Sequence, residues 1–246
     1  MPIQDFVYPP YTIPLADAYD GRFEAVYIVL HPFLRVPTSL AWATTRRYPD
    51  DAQIAAHATK YPWTSVGANT GLSSCARLNQ ALLTSIGSLT DHLADPDGRD
   101  ALQRFLRSQP VWMPVEGNFP PLLHADFLHA FTSAGLRELI YVPEFPNPAV
   151  PNTDSVVTFS IEVLRNGSIP FPACGTLLAP DQSFLFTVDW DSFFTLFYGP
   201  RAFLSQIAAE RHLEGFFATA ITEHAWFNYS MGCATVTLSP EHWQTR

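Results

Sequence analysis

A chain of 246 residues with 47% apolar residues can bury a large core without disulfides or metals, and its three well-separated cysteines, Cys75, Cys174 and Cys233, make no C-x-x-C pair for a zinc ribbon or a redox dithiol. The net charge of −9, with Lys60 the only lysine, excludes the basic stripe of a nucleic-acid binder. No apolar run approaches the roughly 20 residues needed to span a bilayer, and Met1-Pro2-Ile3-Gln4-Asp5 lacks the basic and apolar regions of a signal peptide, so a cytoplasmic protein with neither a membrane nor a nucleic-acid partner is expected.

Residues 1–22 are rich in Pro and Tyr without a period and read as an extended segment. Phe23 to His31 is β-branched and aromatic, bounded by Asp20-Gly21 and Pro32, and reads as a strand. Pro49-Asp50-Asp51 opens a short helix to about Thr59, with acids in the first turn where they complement the helix dipole. The clearest helix runs from Ser73 to Leu93, because Leu78, Leu82, Ile86, Leu89 and Leu93 recur at spacings of three and four. Asp95-Pro96-Asp97-Gly98 breaks that pattern, and a further helix is expected from Arg99 to Ser108.

Trp112 to Val115 is a short strand, Pro120-Pro121 begins a helix with Leu123, Phe127 and Phe131 inward, and Leu139 to Val142 is the next strand. Pro143 to Pro151 is a proline-rich loop. Asp154 to Leu164 fits a helix by the spacing of Val157, Ile161 and Leu164, although its β-branched content fits a strand. Thr176 to Leu178 and Phe184 to Val188 flank the turn residues Pro180-Asp181-Gln182, Phe193 to Tyr198 follows as a strand, and Ala202 to Arg211 as a helix. Glu214 to Ala218 and Trp226 to Tyr229 read as extended. The order argues for an α+β fold, a mostly antiparallel sheet with helices packed on one face, formed by residues 1–246 as a single domain.

His124, Asp126 and His129 invite a metal reading. Residues five apart on a helix lie about 140° from each other around the axis, so the two histidines do not share a face and no metal is expected there. Asp189-Trp190-Asp191-Ser192 sits between two apolar strands; its carboxylates suit acid/base work or a divalent ion, against a plain turn in which Asp accepts backbone N–H bonds. The plain turn is the commoner outcome.

Glu214 with Thr222, Glu223, His224 and Trp226 makes the densest polar-aromatic cluster, in which Glu214 or Glu223 could orient His224 as a base. Glu116, in Glu116-Gly117-Asn118-Phe119, is a further acid before a helix. Cys75 follows Ser73-Ser74 at a helix start, where a capping serine and a buried thiol are the simpler explanation. There is no G-x-S-x-G elbow, P-loop, G-x-G-x-x-G or H-E-x-x-H, and no cofactor is expected.

Val26 to Phe33, Glu116 to Phe119, Asp189 to Phe194, and Leu213 to Phe217 with His224 and Trp226 together resemble an uncharacterised family of bacterial proteins of unknown function. That resemblance implies one fold over nearly the whole chain and carries over no catalytic residue. The stretch from Phe184 to Tyr229 is also similar in style to bacterial toxin-immunity proteins, which implies an acidic binder of a toxin.

Two expectations follow. The first is a protein-binding protein, immunity-type in its sharpest form, with a basic protein partner steered by the charge of −9 and no enzymatic role. It requires an exposed aromatic patch rimmed by acids. The alternative is a small-molecule enzyme or ligand-binding protein in which Asp189, Asp191, Glu214 and His224 converge.

Overall fold

The computed structural model describes residues 1–40, 43, 47–144 and 156–226. The fold is α+β, and its contacts divide the chain into two compact units. The first takes Met1–Val29, Glu116–Phe119 and Leu123–His224; the second takes Leu30–Val115 and Pro120–Leu122, with Ala225 and Trp226 among the described residues. No helix among the described residues is long and apolar enough to cross a membrane.

The described residues of the second unit include a small sheet and a set of helices. Strands β2 (Phe33–Arg35), β3 (Thr59–Tyr61) and β4 (Val111–Trp112) form a sheet in the order β3-β2-β4, antiparallel throughout. Helix α1 (Asp51–His57) starts where its acids indicated, with a reciprocal Asp50–Gln53 capping box. Helix α2 is Trp63–Thr70.

Helix α3 (Cys75–Ile86) is capped by Ser74, which accepts from the Arg77 N–H, and Cys75 is buried. It stops well before Leu93, because Gly87 turns the chain and the N–H groups of Gly87 and Ser88 bond back to Thr84 and Leu83. The leucine spacing outlasts the helix. Helix α4 (Pro96–Ser108) begins earlier than expected, since Asp95 is its N-cap, accepting from the Gly98 N–H, and Pro96 its first residue. What read as a helix breaker is a helix start. Leu34, Val36, Ile54, Trp112 and Val115 form this unit's core cluster.

In the first unit, seven strands form one sheet in the order β10-β1-β9-β8-β7-β5-β6. They are β1 (Ala25–Leu30), β5 (Glu138–Pro143), β6 (Val157–Ser160), β7 (Gly175–Leu178), β8 (Leu185–Val188), β9 (Phe194–Gly199) and β10 (Gly215–Phe217). The pairs β1/β10, β5/β6, β5/β7, β7/β8 and β8/β9 are antiparallel. The stretch Asp154 to Leu164, expected as helix, divides: β6 pairs with β5, and only Ile161–Arg165 is helical. The β-branched half of the segment follows its strand propensity and the Ile161/Leu164 half its spacing.

Alternation along the strands makes two apolar faces. On one, Tyr27, Val29, Leu139, Tyr141, Leu177, Phe186 and Phe197 share a core with Phe127 and Phe131 of α5 (His124–Ser133), Ile161 and Leu164 of α6 (Ile161–Arg165), and Leu204 and Ile207 of α7 (Arg201–Glu210). Phe186 and Phe197, directly paired across β8 and β9, stack at 4.0 Å between ring centroids. Much of the aromatic content is buried, part of it in this core and part elsewhere.

The opposite face presents Thr176, Leu178, Leu185, Thr187, Leu196 and Tyr198. Residues 1–22 cover it, not as a plain extended segment but as a strap with 3₁₀ turns at Ile3–Asp5 and Leu15–Gly21. Tyr19 meets the Tyr198 ring at 5.1 Å and Phe6 stacks on Tyr19 at 5.5 Å. The Leu15 N–H donates to the Thr222 carbonyl at 2.7 Å, tying the strap to the stretch that carries His224.

Candidate functional site

The site lies within the first unit, where the loop from β8 to β9 meets the strap and the turn at His224. After Val188 the chain keeps the alternation of Leu185 and Thr187 for one more residue, so Asp189 falls on the strap-covered face. The loop is then closed by the Ser192 N–H donating to the Asp189 carbonyl at 3.2 Å and by the Ser192 hydroxyl donating to the Phe194 carbonyl at 2.9 Å. A second backbone segment holds it from outside: the Gly117 N–H donates to the Ser192 carbonyl at 2.9 Å.

Asp189 is buried to 1% side-chain exposure and accepts from the Tyr11 hydroxyl at 2.6 Å. Burial, then the hydrogen-bonding Asp191 carboxyl, pushes its pKa up to about 7. His224 lies 3.9 Å from it, Nε2 to Oδ2. Its Nδ1 shares a hydrogen bond of 2.9 Å with the Tyr8 hydroxyl, and the Tyr11 ring stacks on the imidazole at 3.9 Å. Burial lowers the His224 pKa to about 4, against the opposing pull of Asp191. An ion pair would move both groups the other way. At 3.9 Å the contact is too long for a hydrogen bond, and a neutral imidazole makes no ion pair.

One donor atom each from Asp189, Asp191 and His224 lie within 4.8 Å of one another. More acid surrounds them. Glu144 is raised by burial and by Asp191, with a weak opposing bond from Cys174, whose thiol stands 3.8 Å from its carboxylate. Burial and then the Glu144 charge hold the Cys174 thiol far above its ordinary pKa, so it is not a thiolate nucleophile. Glu116 is raised by burial and by Asp191. Among the described residues no Lys or Arg pairs with Asp189, Asp191, Glu116 or Glu144.

Of the residues singled out from the sequence, the structure gathers Asp189, Asp191 and His224, and sets Glu116 beside Asp191. Glu214 does not join them; it precedes the edge strand β10. Trp226 is buried and belongs to the second unit, and Phe227 to Tyr229 lie outside the described residues. The hydroxyl that holds His224 Nδ1 is that of Tyr8, which the sequence did not single out. The residues missed were Tyr8, Tyr11, Glu144 and Cys174. The one sequence signal for the tyrosines was Tyr8-Pro9-Pro10-Tyr11, two phenols held apart by a stiff pair of prolines.

His124, Asp126 and His129 take separate partners. His124 donates from Nε2 to the Phe119 carbonyl at 2.8 Å, Asp126 pairs with Arg211 at 2.7 Å, and His129 pairs with Glu210 at 2.9 Å.

Residues 11–228 match a family described as "Protein of unknown function (DUF2711)". The chain is also similar to the uncharacterized protein YwbB of Bacillus subtilis (strain 168), 21% identical over 232 residues, covering 91% of this chain and 99% of that one. No solved structure matches.

Proposed function

Since the chain belongs to the DUF2711 family, whose description assigns no role, we propose from the geometry that it is a small-molecule enzyme or ligand-binding protein centred on Asp189, Asp191 and His224. The observation that carries this reading is the convergence of three donor atoms within 4.8 Å, in a place rich in acid and with no Lys or Arg ion pair among the described residues. A buried carboxylate is costly unless its charge is offset. The ligand therefore brings positive charge to the site, and the Tyr8 and Tyr11 hydroxyls hold imidazole and carboxylate in place to receive it.

Thermal unfolding of the purified chain against a panel of metal salts, amines and polar metabolites tests the reading. A cationic compound at a hundred times its Kd stabilises the wild type by about 2.7 kcal/mol and leaves Asp191→Asn, an isosteric change at a partly exposed carboxyl, unmoved. Equal stabilisation of both proteins by every hit would place the ligand elsewhere.

One observation favours a second reading, a protein-binding surface of immunity type. Trp190, 58% exposed next to the partly exposed Asp191, and Tyr11, 46% exposed, offer aromatic surface near the acids. Capture of a basic protein that fails with Trp190→Ala and at high salt is the expected result for that role. Undiminished capture by the variant would remove this surface from it.

A further inference from the structure

We infer that Asp189, Asp191 and His224 bind one divalent first-row transition-metal ion, an inference that rests on the site proposed above and names its ligand. The separation of His224 Nε2 and Asp189 Oδ2, 3.9 Å, is too long for a hydrogen bond. Two ligands each about 2.1 Å from one ion stand about 3.0–3.4 Å apart, so the pair closes by about 0.5–0.9 Å when the ion binds. Asp191, partly exposed on a turn, supplies the third donor.

The surroundings are those of a ligand set rather than of a buried polar accident. A metal-bound imidazole has its second nitrogen held by an outer partner, which fixes the ring. Here the Tyr8 hydroxyl holds Nδ1 and leaves Nε2 facing the carboxylates. Tyr11 donates to Asp189 Oδ2, the oxygen that faces His224, and so fixes that carboxylate. The acids around Asp189 are unmatched by any Lys or Arg pair among the described residues, and a doubly charged ion offsets them.

A separate observation comes from β9. The Tyr198 hydroxyl is buried without a hydrogen-bond partner, on the same sheet face as Asp189 and in electrostatic reach of Tyr8. Buried hydroxyls are normally bonded. A polar group or solvent entering beside Tyr8, which holds His224, would supply the missing partner.

The donor set chooses the ion. One imidazole with two carboxylates suits Mn²⁺, Fe²⁺ or Zn²⁺ better than Mg²⁺ or Ca²⁺, which prefer oxygen alone, while no thiolate is present to select a softer metal. With three protein ligands, open positions remain, and an ion so held supplies a Lewis acid to a bound substrate.

The test is calorimetric titration of the full chain, stripped with chelator, with Mn²⁺ and separately with Zn²⁺, together with the electron spin resonance of bound Mn²⁺. A single saturable ion is expected, weakened about 10–100-fold by His224→Gln and by Asp191→Asn. His129→Ala, at an exposed His–Glu pair, serves as the control for stray surface binding and leaves the affinity unchanged. Circular dichroism establishes that Asp191→Asn is folded, and that variant carries the test if His224→Gln is not. Absence of a saturable ion in the wild type, or equal affinity in Asp191→Asn, overturns the inference. If the metals fail while an organic cation still stabilises the chain through Asp191, the metal falls and the small-molecule site stands. Failure of both ends the site itself.

Discussion

Gly117→Ala, set against Gly135→Ala, isolates how tightly the Asp189–Asp191 loop is held. Both glycines have left-handed backbone, with φ of +66° and +77°. An L-residue there costs about 1–2 kcal/mol. At Gly135 that is the whole effect, because an added methyl meets nothing within 4 Å. At Gly117 the methyl would stand 1.8 Å from the Trp190 carbonyl oxygen and 2.6 Å from its carbon.

Backbone must therefore move by more than an ångström, and the hydrogen bond from the Gly117 N–H to Ser192 is lost with it. Overpacking costs about 1–3 kcal/mol and the hydrogen bond about 1 kcal/mol. Gly117→Ala is expected to lose about 2–4 kcal/mol more than Gly135→Ala. Urea unfolding followed by tryptophan fluorescence reads this as a midpoint lower by about 1–2 M, for a slope near 2 kcal/mol/M. Equal midpoints would show that Trp190 yields freely and that the loop is not clamped. Mn²⁺ titration gives an independent readout: Gly117→Ala displaces the loop that carries both aspartates and weakens binding, while Gly135→Ala does not.

Three further outcomes are expected. His31, buried, and His124, partly buried, are held at pKa values of about 4 against an ordinary 6.5, by desolvation in each case and against the pull of a backbone carbonyl. The stability each gives is complete above pH 6.5 and lost as pH falls from there towards 4, so His124→Gln should lose about 2 kcal/mol less than the wild type between pH 7.5 and 5; parallel pH profiles would contradict this. Phe197→Ala empties the centre of the core around Phe184, Phe186 and Phe203 and should cost about 3–5 kcal/mol by urea unfolding. Arg211→Met removes a charged hydrogen bond from Asp126, whose side chain is 5% exposed, and should cost about 1.5–3 kcal/mol; Arg99→Ala, at an exposed pair with Asp100, should change stability by less than about 1 kcal/mol. Similar losses in these two arginine variants would refute the assignment of Asp126 as a buried charge.

The fold was legible where a local signal and its tertiary use coincide. The run Val26 to Leu30 became β1, and the turn at Pro180-Asp181-Gln182 joined β7 to β8 in register. Legibility failed where one signal outran another. Leucines continue past Gly87, yet the reversed backbone there ends the helix. Asp95-Pro96 carries both a break and a start, and only the bond from Gly98 N–H to the Asp95 carboxyl shows which.

The site divides along the same line. Asp189 and Asp191 are two residues apart beside a strand, so their neighbourhood could be read from alternation. His224 reached them over a separation that no periodicity encodes. What brings it there is the strap: Tyr8 and Tyr11 each hold one member of the cluster, and the Leu15 bond to Thr222 anchors the same strap beside His224. An N-terminal segment without a hydrophobic period thus carries two of the contacts that define the site. Its phenols are the outer partners a carboxylate–imidazole centre needs to stay open towards a ligand instead of collapsing into an internal ion pair. The 3.9 Å between His224 and Asp189 is the measure of that restraint.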